Sequence, residues 1–183
     1  MYPDKGWSSD QMKEDLLFEF SQVKSIDNWE IVNDVVMGGV SKSEFVISED
    51  SCAVFRGTVS LENYGGFALV RSGRQKYDLT DFDGIVLVVR GDGKTYRLRL
   101  ETDNTRRGVG YQLAFETIAN EWRTVKIPFK KLEASFRGRK VTDAPEFDSS
   151  RIRRLGLIIS DKQAGPFRLE IEGISAYAEA RKR

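Results

Sequence analysis

Side chains able to do acid–base or nucleophilic work are few in this chain, and the absences narrow the chemistry first. No histidine occurs among the 183 residues, which removes Ser-His-Asp and Cys-His pairs and every His-ligated zinc or haem site. Cys52 is the single cysteine, so an internal disulfide and a thiolate cage are both out of reach, and an unpaired thiol suits a reducing compartment. Carboxylates remain, with Asp34, Asp92 and Glu101 as candidates. Glycoside hydrolysis would need two of them roughly 5–9.5 Å apart across a cleft. Ser41 is followed by Lys42, but strand neighbours point to opposite faces and make no Ser-Lys dyad. The expectation is a chain with no catalytic residue, no metal and no cofactor.

Three glycine-centred clusters stand out: Asn33 to Ser41 around Gly38 and Gly39, then Gly65-Gly66-Phe67, then Arg90-Gly91-Asp92-Gly93. Paired glycines serve tight corners and ligand clamps equally, through positive φ and close backbone approach. Nucleotide and calcium motifs fail at these places. Gly93-Lys94-Thr95 imitates the end of a phosphate loop, but Val88 stands where the first glycine is needed. Gly91-x-Gly93 lacks the third glycine of a dinucleotide fingerprint. Around Asp81-Phe82-Asp83-Gly84 the first and twelfth ligand positions would be Leu79 and Arg90, which defeats an EF-hand. The charged residues flanking the corners, Asp34, Arg71, Arg90 and Asp92, read either as a polar site at one end of a sandwich or as buried Asp–Arg ties between loops.

Charge balance bears on partners. The 29 basic and 28 acidic residues leave a net charge of +1, which argues against nonspecific polyanion binding by bulk charge. Basic clusters at Arg106-Arg107, Arg137-x-Arg139-Lys140 and Arg151-x-Arg153-Arg154 lie near Tyr111, Phe115, Trp122 and Phe136 in sequence. A solvated face or a protein contact is the commoner meaning of such clusters than nucleic acid.

The elements that must carry these residues are strands. Tyr96, Leu98 and Leu100 alternate with Arg97, Arg99 and Glu101, and Val109, Tyr111, Leu113 and Phe115 with Gly110, Gln112, Ala114 and Glu116. Leu155-Leu157-Ile159 and Phe167-Leu169-Ile171 repeat the pattern. Ile85 to Val89 is a continuous apolar run, expected to lie centrally with both faces covered. Gly91-Asp92-Gly93-Lys94 reads as a hairpin turn after it, and Pro128 fits only a strand end or an edge. Trp29 and Trp122 read as core anchors, while nothing local would bury Trp7. Ser9 to Leu17 is expected to form a short helix, Pro128 to Ala134 a turn or two, and Ser135 to Ser150 the longest and most mobile loop. Roughly ten strands of this kind make an all-β, single-domain jelly-roll β-sandwich spanning residues 15–178, between an extension at 1–14 and a basic tail at 179–183.

The glycine clusters, taken in order, resemble the complex I intermediate-associated protein 30 family. Trp29-x-Ile31-Val32-Asn33-Asp34-x-Val36-Met37-Gly38-Gly39-Val40-Ser41 is similar to its opening signature. Phe55-x-Gly57-x-Val59-Ser60 with Asn63-x-Gly65-Gly66-Phe67-Ala68-x-Val70-Arg71 resembles the second block, and Gly91-Asp92-Gly93-x-x-Tyr96 the third. Trp122-x-x-Val125-x-Ile127-Pro128-Phe129 and Gly165-Pro166-Phe167-x-Leu169-x-Ile171 resemble the closing strands. The resemblance implies a galactose-binding-like sandwich and a non-catalytic assembly or accessory role on subunits of a membrane-bound redox complex. Its implied contact surface is Asn33, Asp34, Met37, Gly38, Gly39, Ser41, Asn63, Gly65, Gly66, Phe67, Arg71, Arg90, Asp92 and Tyr96. With no export or transit signal in the first ten residues and no apolar run long enough to span a bilayer, the expected location is the cytoplasm, peripheral to a membrane through a protein partner. The alternative is a carbohydrate-binding module, with Asp34, Asn63, Arg71, Asp92 and Tyr96 as polar contacts to a small sugar and Trp29 or Phe67 as its stacking face.

Overall fold

The computed structural model describes residues 12–180. Period-two patterning puts one face of each strand into a shared core, and two antiparallel sheets result. In the first, β3 (Lys42–Ile47), β4 (Ala53–Val59), β13 (Gly165–Glu179), β6 (Gly84–Arg90) and β9 (Trp122–Pro128) lie in that order, while β1 (Met12–Glu19) pairs along the second half of β13. In the second the order is β11 (Arg139–Lys140), β10 (Glu133–Phe136), β8 (Val109–Glu116), β7 (Thr95–Thr102), β12 (Ile152–Ile159), β5 (Ala68–Ser72) and β2 (Trp29–Asn33). Tyr96, Leu98 and Leu100 meet Leu155, Leu157 and Ile159 on the inner face, opposite Ile85, Leu87, Leu169, Ile171 and Ile174 of the other sheet, and all are buried. This is a jelly-roll β-sandwich.

Several local expectations change once the sheets are assembled. The described part of Ser9–Leu17 is strand β1, which begins at Met12, and no helix forms there. Pairing with β13 outweighs local helical preference, and an extra residue at Leu17 shifts the register so that Leu16 turns to solvent. Gly91 to Lys94 does not close a hairpin. Both edges of β6 are taken by β13 and β9, so the chain crosses to the second sheet to begin β7. Of the apolar run in β6, Val88 keeps partial exposure while Ile85 to Leu87 and Val89 are buried. Pro128 ends edge strand β9 as anticipated. Trp122 is no core anchor: it pairs opposite Arg90, on the outer face, and the Arg90 guanidinium lies 5.0 Å from its ring centroid. Trp29 does join an aromatic cluster with Phe18, Phe20 and Phe45. Trp7 lies outside the described residues.

The segment Ser135–Ser150 is pinned. Its first residues complete β10 and the short hairpin to β11. Phe147 packs on Tyr111 and Phe129, and the Tyr111 hydroxyl donates to the Pro145 carbonyl at 2.6 Å. Strand registers sort the connections by end. Asn33 opposite Ala68, Ala68 opposite Ile159, Thr95 opposite Glu116 and Gly165 opposite Val59 bring segments 34–41, 60–67, 91–94, 117–121 and 160–164 together at one end of the sandwich.

Candidate functional site

The construction of that end starts from Asp34, a carboxylate with 0% exposure. It opens the 3-10 turn Asp34–Met37 directly after β2. Its Oδ1 accepts the Ser41 backbone N–H at 3.0 Å. Its Oδ2 accepts the Ser41 hydroxyl at 2.5 Å and the N–H groups of Gly66 and Phe67 at 2.7 and 3.3 Å. One buried side chain thereby ties the β2–β3 connection to the β4–β5 connection. Ser41 extends the tie: its hydroxyl oxygen accepts the Ser60 N–H at 2.9 Å. Ser43 adds a donation to the Asn33 side-chain oxygen at 2.8 Å. No cation takes part. Burial works against the Asp34 charge, but the donors from Ser41, Gly66 and Phe67 outweigh it and hold the carboxyl below its ordinary pKa.

This carboxylate explains two glycines. A Cβ on Gly39 would sit 2.4 Å from Asp34 Cγ, and one on Gly65 would sit 2.6 Å from its Oδ2. Gly38 meets a different need, φ of +90° at the close of the 3-10 turn, where its N–H returns to the carbonyls of Asp34 and Val35.

What the clamp presents outward is apolar. Among the described residues nine large hydrophobic side chains are exposed. Val35, Val36, Met37, Val40, Leu61, Tyr64 and Ile118 are all at this end, with Val36 72% and Tyr64 100% exposed. Six of them, all but Ile118, stand on the two loops that Asp34 ties together, a cluster rather than the single scattered residues of an ordinary surface. Asn63 and Tyr64 both take left-handed backbone, at φ of 54° and 60°, which the closed loop imposes.

Ten of the residues singled out in the sequence meet here: Asn33, Asp34, Met37, Gly38, Gly39, Ser41, Asn63, Gly65, Gly66 and Phe67. Asp92 and Tyr96 share the end but form a separate tie. Asp92 accepts the Tyr96 hydroxyl at 3.0 Å, the Lys94 N–H at 3.1 Å and the Arg168 N–H at 2.9 Å. Burial, with Asp92 beside it, pushes the Tyr96 phenol far above its usual range. Arg71 and Arg90 go elsewhere. Arg71 pairs with Glu30 and Glu101 on the outer face of the second sheet, at 2.7 and 3.2 Å. Arg90 pairs with Glu170 on the outer face of the first. Of the contacts drawn for a sugar, Asp34 and Tyr96 are fully buried and Trp29 is held among phenylalanines, while Asn63 stays exposed and Asp92 and Phe67 half-buried. The acid–base candidates are likewise each committed to different internal partners. Sequence reasoning passed over Val35, Val36, Val40, Leu61, Tyr64 and Ile118. The signal was the run Val35-Val36-Met37 inside a turn bounded by Asp34 and Gly38, where no strand can bury three consecutive apolar residues.

Comparison with known proteins agrees with this architecture. Residues 18–171 match the family model described as Complex I intermediate-associated protein 30. The Drosophila melanogaster mitochondrial protein of that name is 27% identical over 180 residues, covering 86% of this chain and 61% of the relative. The mouse protein is also 27% identical, covering 90% of this chain and 56% of its own length. This chain thus spans a little over half of those curated relatives. Among solved structures, a family 11 carbohydrate-binding module from Clostridium thermocellum, determined with a mixed-linked tetrasaccharide, superposes with a TM-score of 0.68. It covers 93% of this chain and 98% of the module at 14% identity, a likeness of fold.

Proposed function

The chain belongs to the complex I intermediate-associated protein 30 family, and on that premise we propose that it is a non-catalytic assembly or accessory protein for a membrane-bound redox complex. In this reading it holds a protein subunit of the complex, or of an assembly intermediate, against its apolar loop end. The observation that carries the reading is the exposed cluster Val35, Val36, Met37, Val40, Leu61 and Tyr64 on two loops closed by one buried carboxylate. Loops ordered before contact pay less entropy on association, so even a modest apolar patch can bind usefully. Glycines serve the clamp, and the motif around Asp34 thereby acquires a role without chemistry: it shapes a surface.

No helix among the described residues is long and apolar enough to cross a membrane. In this reading the protein partner brings the chain to the complex, and the compartment, cytoplasmic in our reading, is the one that the partner's exposed side faces. The test is affinity purification of the tagged protein from gently solubilised membranes of its own cell. Subunits of an electron-transport complex should co-purify, and a Val36→Asp/Tyr64→Ser variant of unchanged thermal stability should lose them. Recovery of the bare chain, or identical recovery by the variant, would sink the proposal.

A further inference from the structure

Nine of the fifteen described arginines pair with a carboxylate. Six do not, and four of those six, Arg106, Arg107, Arg137 and Arg139, stand at one corner of the end opposite the apolar loops. Arg106 and Arg107 occupy the connection from β7 to β8, and Arg137 and Arg139 the hairpin from β10 to β11. Register places the two turns side by side, because Phe136 pairs opposite Val109 at the sheet edge. Phe136 joins them: the guanidinium carbons of Arg106 and Arg137 lie 5.0 and 5.3 Å from its ring centroid.

The corner is built to stay in this shape. Gly108, at φ of +91°, leans so closely on the Phe136 ring that a Cβ there would be 2.8 Å from the ring edge. From below, the nearly buried Arg99 donates to the Gly108 carbonyl at 2.7 Å and holds the turn. The hairpin turn uses left-handed backbone at Arg137 and Gly138, with φ of 49° and 76°. Lys140 is neutralised by Glu133 at 2.7 Å, so the free charge belongs to the arginines.

We propose that this corner binds the anionic headgroups of a phospholipid surface. Four exposed arginines without a carboxylate partner among the described residues, on two adjacent turns and two of them over a half-buried aromatic ring, match a plane of phosphate oxygens bordering hydrocarbon. A single-stranded nucleic acid would want the ring free for base stacking, and here two arginines lie over it. The proposal is independent of the docking reading, since it uses the other end of the molecule.

Sedimentation with vesicles tests it, using phosphatidylcholine alone and phosphatidylcholine with about a third phosphatidylglycerol. Retention on the anionic vesicles only, fading as salt rises, is the expected result. Each arginine near such a surface contributes roughly fivefold, so the Arg106→Gln/Arg137→Gln/Arg139→Gln protein should bind on the order of a hundredfold more weakly. The corresponding triple lysine variant keeps the charge and should retain most of the binding. If the glutamine variant fails to fold, the salt titration of the unaltered chain and the lysine variant still decide. Equal retention on both vesicle types, or on neither, overturns the proposal. So does capture by a polyglutamate peptide or single-stranded RNA with no vesicle binding. Val36→Asp/Tyr64→Ser should leave vesicle binding unchanged, which separates this outcome from failure of the docking reading.

Discussion

The two ends of the sandwich solve opposite problems with the same material, turns projecting beyond strand ends. At the loop end a charge is buried and apolar side chains are exposed: Asp34 sits at 0% exposure beneath Val35, Val36 and Tyr64. At the arginine corner an aromatic ring is half covered and the charges are exposed, with Arg106 and Arg137 over Phe136. A buried carboxylate with four donors is costly to disturb, because each abandoned donor loses a partner it cannot recover from water. An exposed guanidinium on a ring costs little to remove. Rigidity should therefore be concentrated at the apolar end, and charge-dependent binding at the other.

That contrast can be broken most forcefully at Asp34. Asp34→Ala strands the Ser41 hydroxyl and the N–H groups of Ser41, Gly66 and Phe67, and should cost about 3 kcal/mol in urea unfolding. Gly39→Ala attacks the same clamp while leaving the carboxylate present. Its Cβ would stand 2.4 Å from Asp34 Cγ, and a loss of about 2 kcal/mol is expected from the same measurement. A destabilisation below about 0.5 kcal/mol for both would mean that the clamp is not what orders this end.

Acid provides a reversible version. The Asp34 carboxyl is held below its ordinary value in the folded protein, so its contribution is fully present above the unfolded pKa of about 3.9 and is lost as pH falls through the lower folded value. Amide protection factors at Ser41 and Gly66, taken relative to intrinsic exchange at each pH, should fall in that acid range and stay flat from about pH 5 to pH 8. Asp34→Asn should abolish the acid step. The smallest stability effects belong to the exposed groups. Val36→Asp, Tyr64→Ser and Arg137→Gln should each shift unfolding by less than about 0.5 kcal/mol. The first two are expected to reduce recovery of a protein partner, and the third to weaken anionic vesicle binding. A large stability loss from any of them would show that its end is a packed surface and not a presented one.

How far the fold could be read in advance depended on how local its causes are. Alternation in Tyr96–Glu101 and in Val109–Glu116 was carried intact into β7 and β8, since side-chain direction in a strand is a property of neighbouring residues. The crossover at Gly91–Lys94 was misread as a hairpin because a Gly-Asp-Gly turn is compatible with both. Which one forms depended on whether β6 had an edge left to offer. Trp122 was misplaced by one register step, the step that turns an inward side chain outward. For the candidate site, the glycines and Asp34 were legible as a cluster, but their purpose was not. Steric need at Gly39 and Gly65 arises from a side chain that reaches across a gap of more than thirty positions to the Gly66 and Phe67 amides.

Residue order alone was enough to settle that this is an all-β chain without histidine chemistry, and that its glycine-rich corners follow the pattern of one family. Those conclusions rest on composition, on a period of two and on motif order, none of which needs distant contacts. Tertiary structure decided the rest. It sent Arg71 and Arg90 to opposite sheets, turned Asp34 inward as a clamp, lifted Val35, Val36 and Tyr64 into solvent, and set two arginine turns beside one phenylalanine. Each outcome depends on which strand edges pair and in what register, and that is fixed by the hydrogen-bonding and packing of the whole sandwich at once.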